Sequence, residues 1–191
     1  MKVFRAEEKD VKRLEYGDVV PFDMSDGEHC EAIVIAIEGD NAICTLVDAL
    51  KNWHRMNPTS TTNGGYLATE MRKYLNSELL DRFPTELREQ MVADDNGDYL
   101  RLFTEKEVFG KNIYADEEES EDVKQYDYFK FRRNRIALNG WNSDYPEWWW
   151  LSNPASATYF CYCNTGGRAN RGVASYALYY VRPRFVIKVE Q

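Results

Sequence analysis

Histidine and cysteine are scarce in this chain, and that scarcity limits the chemistry it can support. Only two histidines, His29 and His54, occur among the 191 residues. The cysteines form two pairs that are far apart in the sequence: Cys30 with Cys44, and Cys161 with Cys163. No CxxC spacing accompanies them, so the ligand set of a zinc site is missing. We therefore expect no metal, no cofactor and reduced thiols.

Long apolar runs and a leader sequence are also missing. The longest apolar stretches, such as residues 32–37, are far too short to span a bilayer. The N-terminus (MKVFRAEEKDVKRLEYGD) is charged throughout, so it does not resemble a signal peptide. We expect no membrane span and synthesis in the cytoplasm. Incorporation into a phage particle would leave no mark in the sequence and stays open.

The chain carries no excess of positive charge. Its formal net charge is −8 and its pI is near 4.9, which argues against a protein that grips phosphate backbones. Neither a GxGxxG fingerprint nor a P-loop is present. Nucleic acid is therefore not the expected partner, and a Rossmann fold is not expected.

Aromatic residues, by contrast, are abundant. They make up 14% of the chain, with 13 Tyr and 5 Trp. Both residue types combine a large contact area with a polar group, which suits an amphipathic core or a binding surface. The length and the 43% share of hydrophobic residues fit one domain. We assign that domain to residues 15–191, after a charged lead-in over residues 1–14 that includes a short helix.

Strand and helix patterns are segregated along the chain. Residues 31–37 and 42–47 are β-branched runs separated by a Gly/Asp/Asn turn, which predicts a hairpin. Residues 51–65 are rich in Asn, Thr, Ser and Gly and predict a loop. Strands are predicted near the C-terminus over four segments: residues 148–152, 158–163, 173–180 and 181–189.

Two helices are predicted between the hairpin and the C-terminal strands. Apolar residues recur there at four-residue spacing, the pattern of a helix with one buried face: Leu67, Met71, Leu75 and Leu79. Pro84 and Thr85 open a second, shorter helix that runs through Met91 to a turn at residues 94–97. The order of elements indicates an α+β fold with an antiparallel sheet.

A short strand and a capping box follow the second helix. Residues 99–103 form the strand candidate, and Thr104 with Glu107 matches a capping box for a helix that Gly110 ends. The acidic residues 94–98 lack the spacing and the terminal Glu of an EF-hand, so we interpret them as a turn. Asp144 and Glu147 leave calcium binding open.

Two segments of opposite charge lie between the helices and the last strands. Residues 115–122 (ADEEESED) predict a solvated loop within an insertion near residues 115–125. Residues 126–135 (YDYFKFRRNR) interleave aromatic and basic side chains, as grooves for single-stranded nucleic acid do. Because the chain is acidic, we favour an electrostatic contact between the two segments over nucleic-acid binding.

Four motifs in order carry a family resemblance: EMRKYLN (residues 70–76), LFTEKEVFG (102–110), WWWLSNP (148–154) and VRPRFVI (181–187). The chain thereby resembles a bacterial domain family of unknown function, common in gut Firmicutes and their phages and related to the C-type-lectin-like fold. Two positions depart from the family pattern, because Ser152 replaces its usual Arg and Tyr180 stands where the family often has Gly. The resemblance implies two helices packed on antiparallel sheets.

The resemblance also implies a function. Related proteins include targets of diversity-generating retroelements, in which a C-terminal variable region binds ligand, so we expect a non-enzymatic module for a protein or glycan on a cell or phage surface. The expected binding residues are Trp141, Asn142, Tyr159, Tyr162, Asn164, Arg168, Asn170, Arg171, Ser175 and Tyr176. The alternative is an enzyme of the formylglycine-generating type that uses Cys161 and Cys163. Neither a nearby base nor a cation for these thiols is identifiable.

Overall fold

The computed structural model describes residues 13–189, so the lead-in predicted for residues 1–14 falls almost entirely outside the described residues. Within this range the chain is a mixed α+β structure of mostly antiparallel sheets and short helical segments. That confirms the fold class predicted from the segregated patterns. No helix in residues 13–189 has the length and apolar character needed to cross a membrane.

The central sheet is built around the predicted hairpin. Its strands are β1 (Val19–Asp23), β2 (His29–Glu38), β3 (Asn41–Leu46), β4 (Leu100–Arg101) and β10 (Arg184–Lys188). They are ordered β1-β2-β3-β10-β4, and all neighbours are antiparallel. The hairpin prediction is confirmed by β2 and β3, whereas the strand predicted over residues 99–103 shrinks to the two residues of β4.

Two further sheets complete the architecture. β5 (Ala137–Leu138) pairs with β6 (Pro146–Glu147). The strands β7 (Trp149–Pro154), β8 (Tyr159–Cys163) and β9 (Ala169–Val173) form an antiparallel sheet in that order. The last strands predicted from the sequence are therefore split, because β10 joins the central sheet instead of extending this one.

Side chains alternate between the two faces of the central sheet, and each face packs against a hydrophobic cluster. On one face, Val34, Cys44 and Phe185 pack with the helical residues Met71 and Leu75. The opposite face belongs to a second hydrophobic cluster, which contains Ile35, Ile43, Phe103, Phe129 and Trp149. The three-stranded sheet contributes to both clusters, with Trp150 in the first and its neighbour Trp149 in the second.

The first predicted helix is irregular. It consists of a 3₁₀ turn (Tyr66–Ala68), helix α1 (Glu70–Tyr74), a π-helical segment (Leu75–Leu79) and a second 3₁₀ turn (Leu80–Arg82). Thr69 caps α1 by accepting a hydrogen bond from the Arg72 N–H at 3.1 Å. Helix α1 therefore begins after Leu67, which lies in the preceding 3₁₀ turn, is 51% exposed and does not belong to the buried stripe.

The π-helical segment contains Asn76, whose side chain links the helix to β4. Its Nδ2 donates to the carbonyls of Arg72 (3.2 Å) and Leu100 (2.8 Å). Its Oδ1 accepts from the N–H groups of Tyr99 (2.8 Å) and Leu100 (3.1 Å). The amide thus satisfies backbone groups of a strand too short to satisfy them by pairing alone.

The remaining helices are each about one turn long: α2 (Thr85–Arg88), α3 (Glu105–Phe109), α4 (Asp127–Lys130) and a 3₁₀ turn (Arg132–Arg135). The predicted capping box is confirmed at α3, where Thr104 and Glu107 bond reciprocally and Gly110 ends the helix with φ 78°. The second predicted helix was too long, because Met91 leaves it and bridges Ile187 of β10.

The strand predicted over residues 173–180 is wrong. β9 occupies Ala169–Val173, and the chain then turns away from β8 at Ala174, whose N–H donates to Thr158 O. The Ala174 carbonyl accepts hydrogen bonds from the N–H groups of Met56 and Asn57 in the predicted loop. These bonds replace the pairing that a longer strand would need, and residues 174–178 form a surface turn.

The acidic and basic segments do not pair with each other. No ion pair between described residues joins residues 115–122 to residues 131–135. The acidic loop is fixed instead through hydrogen bonds that each join a charged group to a neutral one: Lys106 Nζ donates to Ser120 O (2.7 Å) and Asn153 Nδ2 donates to Glu119 (3.0 Å). The favoured electrostatic contact is therefore not found.

Arg182, in the VRP motif, is fully buried between these elements. Its Nε donates to Leu46 O at the end of β3, and its Nη1 donates to Asn134 O in the last 3₁₀ turn, both at 2.8 Å. The guanidinium lies 5.5 Å from the ring centroid of Phe129 and 5.3 Å from that of Trp149. None of the ion pairs between residues 13 and 189 includes it, so carbonyl dipoles and aromatic faces replace a counter-ion.

We predict that Arg182→Leu lowers the free energy of unfolding by roughly 2–4 kcal/mol, because two buried carbonyls lose their donors. Chemical denaturation checks this value. The control Arg133→Leu removes an exposed guanidinium and should cost less than about 0.5 kcal/mol. Equal costs in the two variants would contradict the structural role of Arg182.

Candidate functional site

The β8–β9 hairpin presents the residues that the sequence singled out. Its register pairs Tyr162 with Asn170 and Cys161 with Arg171. Cross-strand partners point to the same face of a sheet, and neighbours along a strand point to opposite faces. Arg171 therefore shares a face with Tyr159 and Cys161, whereas Tyr162 and Asn170 face the other way.

Arg171 lies between two tyrosine rings at the edge of this sheet. Its guanidinium carbon is 5.6 Å from the ring centroid of Tyr114 and 5.9 Å from that of Tyr159. Tyr114 is 38% exposed and Tyr159 is 37% exposed. Arg171 is itself exposed and takes part in none of the ion pairs recorded for residues 13–189. A cation held by aromatic faces keeps its hydrogen-bond donors available to a ligand.

Tyr114 is held in place by a buried carboxylate. Glu105, which is 0% exposed, accepts hydrogen bonds from the backbone N–H groups of Ile113 (2.6 Å), Tyr114 (2.9 Å) and Ala115 (3.0 Å). The Glu105 N–H in turn donates to Asn153 Oδ1 in β7. This loop is therefore fixed to α3 and to the sheet, although it has no regular secondary structure.

The opposite face of the hairpin is covered by Tyr179. Its ring centroid lies 4.6 Å from that of Tyr162 and 4.3 Å from that of Trp150. Burial, together with the neighbouring hydroxyls of Tyr162, Tyr176 and Tyr159, raises the pKa of Tyr179 to about 12. Tyr162 is only 8% exposed, so it contributes to the core and offers little surface to a ligand.

Four exposed side chains thus surround the outer edge of β9, and we refer to them as the tyrosine–arginine surface: Tyr114, Tyr159, Arg171 and Tyr176. Tyr176 is 50% exposed and lies in the turn after β9. Sequence reasoning identified three of these residues and missed Tyr114. Its position depends on the burial of Glu105, for which the sequence gives no signal.

The other predicted residues lie near β9 or at its ends, and several of their side chains make hydrogen bonds within the protein. Asn170 Oδ1 accepts from the Arg171 N–H (2.8 Å), and Ser175 Oγ contacts Ser60 Oγ (2.8 Å). At the hairpin tip, Asn164 Oδ1 accepts from the N–H groups of Gly166 and Arg168. The Arg168 side chain is exposed. Asn164 therefore shapes the turn that connects the two strands.

Trp141 and Asn142 belong to a different part of the molecule. Trp141 is 54% exposed and packs edge-to-face on His29 at the start of β2, with ring centroids 4.5 Å apart. Asn142 has a positive φ of 61°, a conformation that Asn tolerates better than most residues. No contact between described residues connects this pair to the tyrosine–arginine surface.

The two cysteines of β8 are buried in the second hydrophobic cluster. Both Cys161 and Cys163 are 0% exposed, and both thiols are free. Burial raises the pKa of Cys163 to about 12 and also raises the pKa of Cys161. Cys163 Sγ donates to Arg135 O (3.3 Å). A thiol that keeps its proton in apolar surroundings is a poor nucleophile.

Two of the carboxylates that suggested calcium, Asp94 and Asp98, have protein partners. Asp94 Oδ1 accepts from the N–H groups of Asn96 (2.8 Å) and Asp98 (3.0 Å), and Asp98 pairs with Arg72 at 2.6 Å. Residues 94–98 therefore form a turn that is stabilised by hydrogen bonds to the Asp94 carboxylate, as interpreted from the sequence. In the described part of the chain, no three His, Cys, Asp or Glu side chains are grouped as metal ligands.

Three side chains of the basic and aromatic segment, residues 126–135, contact other elements of the fold. Arg132 Nε donates to Gly166 O at the hairpin tip (2.7 Å), and Arg135 lies 5.1 Å from the ring centroid of Phe109. Tyr126 accepts a hydrogen bond from Arg184 Nε (3.0 Å). These three side chains connect elements of the fold.

Comparison with known proteins gives one match. The model of the family described as domain of unknown function (DUF6273) matches residues 40–189. This range includes every element from β3 to β10 and the whole tyrosine–arginine surface. No curated protein matches the chain. No solved structure matches it either.

We predict that Gly167→Ala destabilises the hairpin tip by roughly 2–4 kcal/mol. Gly167 has a φ of 68°, and an added Cβ would lie 2.7 Å from the backbone oxygen of Arg132. Gly39→Ala is the matched control, because its φ is 62° but no atom lies within 4 Å of the new Cβ. It should cost only about 1 kcal/mol. Thermal unfolding of both variants measures the difference, and equal shifts would rule out the close approach to Arg132.

We predict that none of the four cysteines reacts rapidly with Ellman's reagent in the folded protein at pH 8. All four thiols are buried, and burial raises the pKa of Cys30 and Cys44 to about 12 as well. Because unfolded thiols ionise near their ordinary pKa, stability should be intact below that pKa and should fall as the pH rises above about 9. Fast native labelling of Cys161 or Cys163 would contradict this picture.

Proposed function

Since the chain belongs to the domain family DUF6273, a membership that fixes no activity, we propose from the geometry that it is a non-enzymatic binding module. The tyrosine–arginine surface engages a macromolecular ligand, a protein or a glycan. The observation that carries the proposal is the Arg171 guanidinium held between Tyr114 and Tyr159 at an exposed sheet edge. Tyr and Arg are enriched at the energetic centres of binding interfaces.

The scaffold behind this surface supports the proposal because it limits the entropy lost on binding. β8 and β9 are paired over five residues each, Tyr114 is held through Glu105, and Tyr179 packs on the inner face. Aromatic side chains fixed in this way offer contact area at low conformational cost. Their ligand therefore meets a surface that is already arranged.

The motifs named above support a finer version of the proposal. On this view the domain is C-type-lectin-like, and the protein is a receptor-binding protein of a phage or a product of retroelement diversification. The turn at residues 174–178 and the outward positions of β9 are where a variable region would change the surface without changing the core. The burial of Cys161 and Cys163 weighs against the formylglycine-generating alternative, so we propose no enzymatic function.

The test is binding of the fluorescently labelled protein to arrayed glycans, intact bacterial cells and phage particles. We predict that Tyr159→Ala and Arg171→Ala each weaken binding to the best target about tenfold or more, because each removes a central contact. Tyr99→Ala and Arg133→Ala are the matched controls. Tyr99 is 40% exposed, close to the 37% of Tyr159, and its N–H donates to Asn76 of the first helix (2.8 Å).

All four variants should keep the melting temperature of the wild type within a few degrees, because they alter exposed side chains. The proposal is wrong if no target in the three sets binds the wild type. It is also wrong if the control variants lose as much affinity as Tyr159→Ala and Arg171→Ala.

A further inference from the structure

A groove separate from the tyrosine–arginine surface lies between the loop of residues 53–58 and the first helix. Its volume is about 620 Å³, within the range of roughly 300–1,000 Å³ that small-molecule sites occupy. Ala177, in the turn after β9, also lines the groove. The other lining residues include Trp53, Arg55, Lys73, Tyr74, Ser77 and Glu78.

Trp53 is the aromatic side chain of this groove that lacks a partner. Trp149 and Trp150 are fully buried, Trp148 packs on Tyr179 and Trp141 packs on His29. Trp53 is 54% exposed, and its side chain makes no ring contact or hydrogen bond with another residue in the range 13–189. Its ring face and its indole N–H are both available, although tryptophan is among the residues that proteins usually bury for most of their surface.

The loop that carries Trp53 is held by the core. The N–H of the next residue, His54, donates to Tyr179 O (2.9 Å), and the His54 carbonyl accepts from Trp150 Nε1 (2.7 Å). The His54 ring stacks on Tyr74, with centroids 4.0 Å apart and planes 16° from parallel. Trp53 is therefore presented on a fixed segment, and its exposure does not result from a free loop end.

The polar groups of the groove balance in charge. Arg55 and Lys73 are opposed by Glu70 and Glu78, and Lys73 pairs with Glu70 at 2.8 Å. Arg55 and Glu78 make no ion pair between described residues, so one set of donors and one set of acceptors stay available beside the indole. A balanced groove does not favour an ion of either sign, but it suits a neutral ligand with many hydroxyl groups.

We propose that this groove binds a neutral saccharide. One face of a pyranose ring carries C–H groups that stack on an exposed indole, and its hydroxyls both donate and accept hydrogen bonds, which Arg55, Ser77 and Glu78 complement. A quaternary ammonium ligand would need an open cage of aromatic faces. Here one face of Tyr74 is covered by His54. The cations Arg55 and Lys73 lie in the same groove and would repel a quaternary ammonium.

The test is affinity electrophoresis of the intact chain in gels containing soluble starch, mixed-linkage β-glucan, xylan or galactomannan. Titration calorimetry with the matching oligosaccharide then gives the affinity. We predict retardation by at least one polymer and a loss of about tenfold or more in Trp53→Ala, because stacking on the indole supplies a central contact. Trp53→Phe, which keeps a ring, should recover part of that loss.

Trp141→Ala is the matched control, since Trp141 is also 54% exposed and lies on another loop. It should bind like the wild type. The proposal is overturned if no polymer retards the wild type, if Trp53→Ala binds normally, or if phosphocholine binds in the groove and the saccharides do not. Loss of saccharide binding only in the Tyr159 and Arg171 variants would move glycan recognition to the tyrosine–arginine surface.

Discussion

The buried guanidinium of Arg182 is the interaction on which the arrangement of the C-terminal half depends. A charge without a counter-ion is costly to bury, and it persists here because two carbonyls and the faces of Phe129 and Trp149 solvate it. The same group joins the end of β3 to the 3₁₀ turn at Arg132–Arg135 and to β7. That turn in turn holds the hairpin tip through Arg132 and Gly166. The position of the exposed edge of β9 thus depends on a residue that no ligand touches.

In the three-stranded sheet, the position of a residue along its strand decides which face its side chain points to. In β8, Phe160 and Tyr162 point into one hydrophobic cluster, and Cys161 and Cys163 point into the other. Both faces are packed over Phe160–Cys163, so the surface comes from Tyr159 at the start of β8, from β9 and from the neighbouring loops. A sheet with two buried faces can therefore still present side chains at its free edge and in its loops.

Local signals predicted the hairpin of β2 and β3 and the capping box of α3, because turn chemistry and capping act within a few residues. The strand predicted over residues 173–180 failed for the opposite reason, since the Ala174 carbonyl bonds to the N–H groups of Met56 and Asn57, more than a hundred residues earlier in the chain. The tyrosines were recognisable by composition, but the burial of Tyr162 and the exposure of Tyr159 required the register of β8. Nothing local distinguished Trp53 from Trp141.

The anchoring of residues 113–115 by Glu105 has a consequence for evolution. The carboxylate recognises backbone N–H groups, which every amino acid except proline supplies, and it reads none of the side chains at those positions. Mutations at the exposed positions Ile113 and Tyr114 can therefore accumulate while the path of the chain stays the same, whereas Ala115 also packs against the second hydrophobic cluster. Homologous proteins that keep Glu105 can therefore carry a different side chain in place of Tyr114 beside Arg171.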